Sequence, residues 1–183
     1  LDANKTSPYK FYQFWFNTDD RDVEKLLKLY TFMSLDEIAE LINQHNAKPE
    51  NRLAQKKLAY EVTRTVHGEE TAKSVVNVSE ILFNPSMNFS EVSEVTCEIL
   101  KQEVPYKKLE GVEFPVSAVN IISSSGACES NGEAKRAIRQ GGVSINGNKI
   151  TDEKANINQD SLINGKYLFV RIGRKKFNMA EFA

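Results

Sequence analysis

Through the first hundred residues, apolar side chains recur at the three- and four-residue spacing of amphipathic helices. Such stripes are Val23, Leu26, Leu27 and Tyr30; Ile38, Leu41 and Ile42; Leu58, Val62 and Val66; Ala72, Val75 and Val76; and Val92, Val95 and Ile99. The segment Tyr9–Phe16 is apolar nearly all round, which predicts a buried helix. Short connections between these segments predict a helical bundle.

Residues that favour helix starts precede several of these stripes. Ser7 stands directly before Pro8, Thr18-Asp19-Asp20 precedes the second stripe, and Ser34 stands three residues before Glu37 in the spacing of a capping box. These signals predict three of the helix N-termini.

After Pro105 the pattern changes to short helices and strands with more glycine. The sequence predicts a helix from Pro115 through Ile122 and a basic helix that is capped by Ser130 or Asn131 and ended by Gly141–Gly142. It also predicts a type I′ hairpin turn at Asn146–Gly147 and two strands joined at Gly173. Tyr106–Phe114 is interpreted as a connecting segment. The sequence thus predicts an α+β fold: a helical bundle over residues 1–105, then a small α/β domain over 106–183 with short helices packed on a small sheet.

Charge is distributed unevenly between these two parts. The 183 residues carry a net charge of -1, but the part through Pro105 has 12 Lys and Arg against 17 Asp and Glu. The part from Tyr106 onward has 12 against 8. We therefore expect a polyanion to bind mainly the second part.

Other function classes lack their sequence signals. No apolar run approaches the roughly 20 residues of a membrane span, so we expect no membrane partner. Cys97 and Cys128 stand in unrelated contexts, which favours a reducing cytoplasm, and His45 and His67 do not provide zinc-site spacing. A phosphate-binding glycine loop, a dinucleotide fingerprint and a nucleophile–histidine arrangement are also missing. We expect this chain to have no catalytic, cofactor or metal residues.

Two clusters of cations stand in the second part. Lys135, Arg136 and Arg139 project from the basic helix away from its apolar face, and Arg171, Arg174, Lys175 and Lys176 surround the terminal turn. Either cluster alone is also explained by an ordinary solvated helix face or by edge charges that block strand pairing. Two clusters in one small domain favour RNA. The predicted RNA-binding residues are Lys135, Arg136, Arg139, Lys149, Arg171, Arg174, Lys175 and Lys176.

Four segments carry a family resemblance: LDANKTSPYKFYQFWFNTDDRDV (Leu1–Val23), LYTFMSLDEI (Leu29–Ile38), LAYEVTRTVHGEE (Leu58–Glu70) and NGKYLFVRIGRKKF (Asn164–Phe177). The chain resembles the C-terminal half of bacterial-type tyrosyl-tRNA synthetases over nearly its entire length. Ser130–Phe177 is similar to the small RNA-binding domain named after ribosomal small-subunit protein four.

The resemblance implies a class I parent enzyme that activates tyrosine with ATP and esterifies it to tRNA(Tyr) in the cytoplasm. Its catalytic domain, with His-x-Gly-His and Lys-Met-Ser-Lys-Ser type signatures, is expected to precede Leu1, and Leu1–Asn4 shows neither an initiator Met nor a signal peptide. We therefore expect an inactive fragment with no ATP or tyrosine site. The implied partners are the anticodon stem-loop and variable arm of tRNA(Tyr). The parent is expected to dimerise through the other domain, and the fragment to be a monomer.

Residue by residue, the resemblance places Asp19 near the anticodon, where its carboxylate could accept protons from a guanine edge; helix capping is the alternative. Two departures each remove a cation. Asn131 and Gly132 stand where family members often carry Lys or Arg, and Ile172 stands where some have a second Arg. We expect a weaker or differently shaped grip on RNA.

Two other functions stay open on the sequence alone. A free-standing module for structured RNA explains the basic tail but not the aromatic first helix. A protein-interaction module requires an exposed apolar patch on the bundle, for which the aromatic Tyr9–Phe16 segment is the candidate.

Overall fold

Helices form the described chain up to Glu103. The computed structural model describes residues 6–84, 87, 89, 92–174 and 176–183. The helices here are α1 (Pro8–Phe16), α2 (Asp20–Tyr30), α3 (Leu35–Ala47), α4 (Leu53–His67), α5 (Glu69–Phe83) and α6 (Glu94–Glu103), with a 3-10 turn at Pro49–Asn51. The three predicted helix N-termini are confirmed. Ser7 Oγ accepts a hydrogen bond from the Lys10 N–H, and the Asp19 side chain accepts one from the Arg21 N–H. Ser34 and Glu37 form the predicted capping box.

A small mixed sheet follows. Its elements are β1 (Tyr106–Leu109), β2 (Val116–Ser117), α7 (Ala118–Ser124), α8 (Asn131–Arg139), β3 (Val143–Ile145), β4 (Asn148–Lys149), β5 (Asn156–Ile157), a 3-10 turn (Gln159–Ser161), β6 (Tyr167–Ile172) and β7 (Lys176–Phe182). The strand order is β1-β7-β6-β3-β4, with β1 parallel to β7 and the other pairs antiparallel, while β2 pairs with β5. The predicted α+β fold is confirmed.

The predicted turn between β3 and β4 has the expected backbone. Asn146 and Gly147 have φ of 48° and 79°, and a type I′ turn requires positive φ at both positions. Two neighbouring predictions differ from the structure. Tyr106–Phe114 contains β1, which pairs with a strand some seventy residues away, and the helix predicted from Pro115 begins at Ala118, because Val116 and Ser117 pair with β5.

The contacts divide the chain within α5, into Leu1–Val76 and Asn77–Ala183, instead of near residue 105. The second unit includes α6, whose Lys101 pairs with Glu98 at 2.7 Å and with Glu181 of β7 at 3.0 Å. The Lys101 ammonium also lies 5.0 Å from the centre of the Tyr167 ring on β6. The change at Pro105 therefore marks a switch from helix to strand inside one unit.

Each unit has its own core. In the first, α1–α4 bury Phe11, Val23, Leu27, Ile38, Ala54, Leu58 and Val62. In the second, α7 and α8 pack on the sheet through Ile121, Ile122, Ile138, Leu168 and Val170. Helix α1 is not buried all round as predicted: Phe14 is 71% exposed. It shares an outer face with Lys10 and Asn17, which stand four and three residues away.

Arg171 connects β6 to the end of α5 inside the second unit. Its side chain is 8% exposed, and its guanidinium donates to the carbonyl oxygens of Ile81 and Leu82, the latter at 3.3 Å. The same group lies 4.9 Å from the centre of the Phe177 ring. These are carbonyls of the last turn of α5, which have no partner within the helix. The prediction that Arg171 contacts RNA is therefore wrong, because its donors face the interior.

Replacing Arg171 with alanine should destabilise the second unit. The substitution leaves two carbonyls without their charged donor, a loss of about 2–3 kcal/mol. Hydrogen exchange of the β6 and β7 amides across a urea series measures the loss in this unit. Arg174→Ala, at an exposed position, is the control and should change stability by no more than about 0.5 kcal/mol. Equal losses in the two variants would contradict a structural role for Arg171.

Candidate nucleic-acid interface

The turn that carries Arg174 lies beside the end of the basic helix, at one end of the second unit. The Gly173 N–H in the β6–β7 turn donates to the Gly142 carbonyl at 2.7 Å, just beyond the C-terminus of α8. Pairing of β3 with β6 sets Val143 opposite Ile172. The last turn of α8 and the turn that carries Arg174 are therefore neighbours.

Helix α8 presents its cations outward because its other face is fixed. Ser130 Oγ accepts from the Glu133 N–H at 3.2 Å, while Ala134 and Ile138 are buried against the sheet. Lys135, Arg136 and Arg139 are exposed, as predicted from the apolar face. The helix ends where Gly141 has φ of 66°.

Lys149 joins this group through the β3–β4 hairpin. A β-carbon placed on Gly141 would lie 3.2 Å from Lys149 Nζ, so the ammonium group lies against the end of α8. We use the term cationic end for the exposed side chains Lys135, Arg136, Arg139, Lys149 and Arg174.

The members of the cationic end differ in their partners. Arg139 pairs with Glu153 through two hydrogen bonds, one of them 3.1 Å from Nη2 to Oε2. This pairing holds the pKa of the Glu153 carboxyl below its usual range. No carboxylate in the described part of the chain pairs with Arg136, Lys149 or Arg174.

Lys176, another predicted RNA-binding residue, does not join the cationic end. The Lys176 ammonium donates to the Ala127 carbonyl at 3.0 Å, which ties it to the segment between α7 and α8. Lys175 lies outside the described residues. RNA contact by these two side chains stays a prediction.

Two of the residues that depart from the family pattern make contacts within the second unit. Asn131 hydrogen-bonds Ser123 and Asn120, and so links the start of α8 to α7. Ile172 packs against the core of the second unit. The Asn131 link joins residues eight and eleven positions apart, and no local pattern in the sequence indicates it.

Asp19 occupies an ordered loop in the first unit. Its Oδ1 accepts from the Arg21 backbone N–H at 2.9 Å and from Arg21 Nε at 3.0 Å, and its Oδ2 accepts from Nη2 at 3.1 Å. These bonds confirm the capping role and lower the pKa of Asp19 to about 2. They leave unused lone pairs on an exposed carboxylate.

This loop is held by side chains from α3, from α4 and from Arg52, which directly precedes α4. Asp20 accepts hydrogen bonds from Gln55 and, at 3.2 Å, pairs with His45 Nε2. Arg52 Nη2 donates to the Phe16 carbonyl at 2.8 Å. The loop that carries Asp19 is therefore held at both ends.

Several large apolar side chains are exposed on the first unit. They are Phe14, Leu29, Tyr30, Phe32 and Leu35. The rings of Trp15 and Tyr30 lie 5.0 Å apart and connect α1 to the end of α2. Their exposure is the observation that favours the protein-interaction alternative for the first unit.

The described residues offer no group of three His, Cys, Asp or Glu side chains that could hold a metal ion. None of their helices is long and apolar enough to cross a membrane. Cys97 and Cys128 are free and buried, and burial raises the pKa of Cys97 to about 12.

Two family models match most of the chain. Residues 1–84 match the model for class I tRNA synthetases of the tryptophan and tyrosine type, and residues 96–180 match the C-terminal domain of tyrosine–tRNA ligases. The chain belongs to the tyrosine–tRNA ligase family. This confirms the resemblance to the C-terminal half of bacterial-type tyrosyl-tRNA synthetases.

The relatives that match this chain are longer than the part of them that aligns with it. The tyrosine–tRNA ligase of Levilactobacillus brevis is 41% identical over 99% of this chain and 42% of its own length. That of Geobacillus stearothermophilus is 38% identical over 100% and 43%. A C-terminally truncated mitochondrial tyrosyl-tRNA synthetase from Aspergillus nidulans is 38% identical over 45% of this chain and 24% of its own, with a TM-score of 0.44. The chain thus spans about two fifths of the length of these curated ligases.

The ionised form of Asp19 should stabilise the start of α2. Because Arg21 lowers its pKa, this contribution is present above the unfolded pKa of about 3.9 and is lost as the pH falls through about 2. An NMR titration of the Asp19 carboxyl should show a midpoint of about 2. Arg21→Ala should raise that midpoint, and Arg21→Lys, which keeps the charge but not the two-pronged geometry, should raise it less. A midpoint unchanged by Arg21→Ala would contradict the pairing.

Proposed function

We propose that this chain is the tRNA-binding part of a tyrosine–tRNA ligase, which positions tRNA(Tyr) so that its acceptor end reaches the active site of the enzyme. The observation that carries the proposal is the cationic end, where α8, β4 and the β6–β7 turn bring exposed cations together on a rigid support. Family membership supports tRNA as the polyanion.

The cationic end binds through phosphate and sugar contacts. Exposed Arg and Lys side chains neutralise phosphates and release counterions, which gives affinity without reading the bases. A-form RNA is recognised mostly through its shape and backbone, and this suits a rigid group of cations. The variable arm of tRNA(Tyr) is the double-stranded element that we assign to this surface.

The first unit binds the anticodon stem-loop in this proposal. The Asp19 carboxylate accepts hydrogen bonds from the Watson–Crick edge of a guanine, using lone pairs that Arg21 leaves free. The contacts of His45 with Asp20 and of Arg52 with Phe16 hold the loop, and so keep the carboxylate in place before RNA binds.

The rest of the activity belongs to the remainder of such an enzyme. We assign no described residue of this chain to ATP or tyrosine, and propose that both bind in the part of the ligase that precedes the matched region. Dimerisation is assigned to that part too, with this chain a monomer on its own. We propose the cytoplasm as the place of action.

Removing one unpaired cation should weaken tRNA binding measurably. Arg136→Ala and Arg174→Ala should each reduce affinity about fivefold at moderate salt and flatten the slope of log K against log salt by about one unit. Fluorescence anisotropy with labelled tRNA(Tyr) over a salt series measures both. Lys108→Ala is the matched control, since Lys108 is an exposed cation on β1 at the opposite edge of the sheet.

Competition identifies the RNA. Unlabelled tRNA(Tyr) should displace the probe at lower concentration than other structured RNAs of equal length. Equal competition by all of them would favour the free-standing RNA module. Unchanged slopes for Arg136→Ala and Arg174→Ala would exclude the cationic end as the binding surface.

The anticodon contact has a separate test. Asp19→Ala should weaken binding of tRNA(Tyr) with guanine at the first anticodon position, by about 1–3 kcal/mol if the carboxylate pairs with that base. With adenine at the same position, Asp19→Ala should change little, because the matched hydrogen bonds are already missing. Asp36→Ala removes an exposed carboxylate from the first turn of α3 and controls for the loss of negative charge. Equal effects on both tRNAs would show that Asp19 acts only as a helix cap.

A further inference from the structure

An acidic side chain lies against the cationic end. Glu153, in the loop after β4, accepts hydrogen bonds from Arg139 Nε and Nη2. Lys135 stands one helical turn before Arg139 on the same face of α8, and its charge also favours the ionised form of Glu153. One carboxylate therefore faces two of the cations predicted to bind RNA.

The position of Glu153 is set by its own loop. Asp152 Oδ1 accepts from the Lys154 N–H at 2.8 Å, and the Asp152 carbonyl accepts from the Ala155 N–H at 3.1 Å. The Ala155 carbonyl in turn accepts from the Ala118 N–H at 2.9 Å, at the start of α7. The Glu153 side chain is 26% exposed, whereas that of Arg139 is 66% exposed.

Glu153 occupies the part of Arg139 that a phosphate would use. A guanidinium binds carboxylates and phosphates alike through two parallel N–H donors, and here Nε and Nη2 are both engaged. A phosphate that approaches Arg139 must displace the carboxylate or bind the remaining donors. The negative charge of Glu153 also opposes the approach of RNA to Lys135.

We propose that Glu153 is a built-in competitor for RNA phosphate, which lowers the affinity of the cationic end by holding Arg139. The inference rests on the proposed RNA-binding function and deepens it. Arg139 then contributes less to binding than Arg136 or Arg174, whose guanidinium groups have no carboxylate partner in the described part of the chain. Neutralising Glu153 makes Arg139 available.

The test is RNA binding by Glu153→Gln, which keeps the size and a hydrogen-bond acceptor but removes the charge. Its affinity for tRNA(Tyr) should rise about fivefold at moderate salt, and the salt slope should steepen by about one unit. Glu153→Ala, which also removes the acceptor, should give at least the same gain. Thermal melts by circular dichroism establish that both variants fold.

Glu110→Gln is the matched control. It removes the same charge and releases a lysine, because Glu110 pairs with Lys108 at 3.2 Å on the surface. Glu110 follows β1, at the edge of the sheet opposite β4. The affinity of the Glu110→Gln variant for tRNA should stay within about twofold of that of the unmodified chain. An exposed charge beyond a Debye length of about 10 Å is largely screened.

A double variant assigns the gain to Arg139. Arg139→Ala should cost about twofold or less in the unmodified chain and about fivefold in the Glu153→Gln background, because only there is the guanidinium free for phosphate. Equal costs in the two backgrounds would overturn the proposal. So would a loss of affinity in Glu153→Gln, which would make Glu153 a residue that positions Arg139 for RNA.

The outcomes separate this proposal from the proposed function. Salt-dependent binding by the unmodified chain with no gain in Glu153→Gln would overturn the competitor role alone. An absence of tRNA binding by the unmodified chain and by both Glu153 variants would overturn both proposals. An equal gain in Glu153→Gln and Glu110→Gln would reduce the effect to net charge and would also overturn the competitor role.

Discussion

The second unit depends on the hydrogen bonds that the last backbone carbonyls of α5 receive in the interior of the unit. The last carbonyls of α5 have no partner within the helix, and Arg171 from β6 provides charged donors to two of them. The ring of Phe177 on β7 covers the same guanidinium. Because β6 also pairs with β3, which follows α8, this side chain helps to hold the strand that positions α8 and the β6–β7 turn. The cationic end lies at the turn that β6 enters.

Local signals in the sequence predicted local structure well. The capping residues Ser7, Asp19 and Ser34, and the Asn146–Gly147 turn, act within a few positions, so the chain around them determines their conformation. The parallel strand β1 could not be predicted in this way. Its four residues carry no clear alternation, and its partner β7 lies at the other end of the unit. A long-range ion pair, between Lys101 of α6 and Glu181 of β7, also explains why α6 belongs to the same unit as the sheet although the composition changes at Pro105.

The candidate site shows the same limit. The outward face of α8 follows from helical periodicity, so the exposure of Lys135, Arg136 and Arg139 could be predicted. The partners of each cation could not, because Glu153 lies fourteen residues from Arg139 and the carbonyls bound by Arg171 lie ninety and eighty-nine residues away. Two arginines that look equivalent in the sequence thus differ in kind: Arg171 is part of the interior and Arg174 is exposed to solvent. A count of basic residues overstates the surface that can meet RNA.

The buried thiols have a practical consequence. Covalent labelling of cysteine proceeds through the thiolate, and a thiol whose pKa is about 12 is almost entirely protonated at neutral pH. Cys97 and Cys128 are the two cysteines of the chain, and both are buried. A single cysteine introduced on the surface would therefore react with a maleimide dye far faster than either native thiol. Site-specific probes can be attached without first removing the native cysteines and disturbing the packing around them.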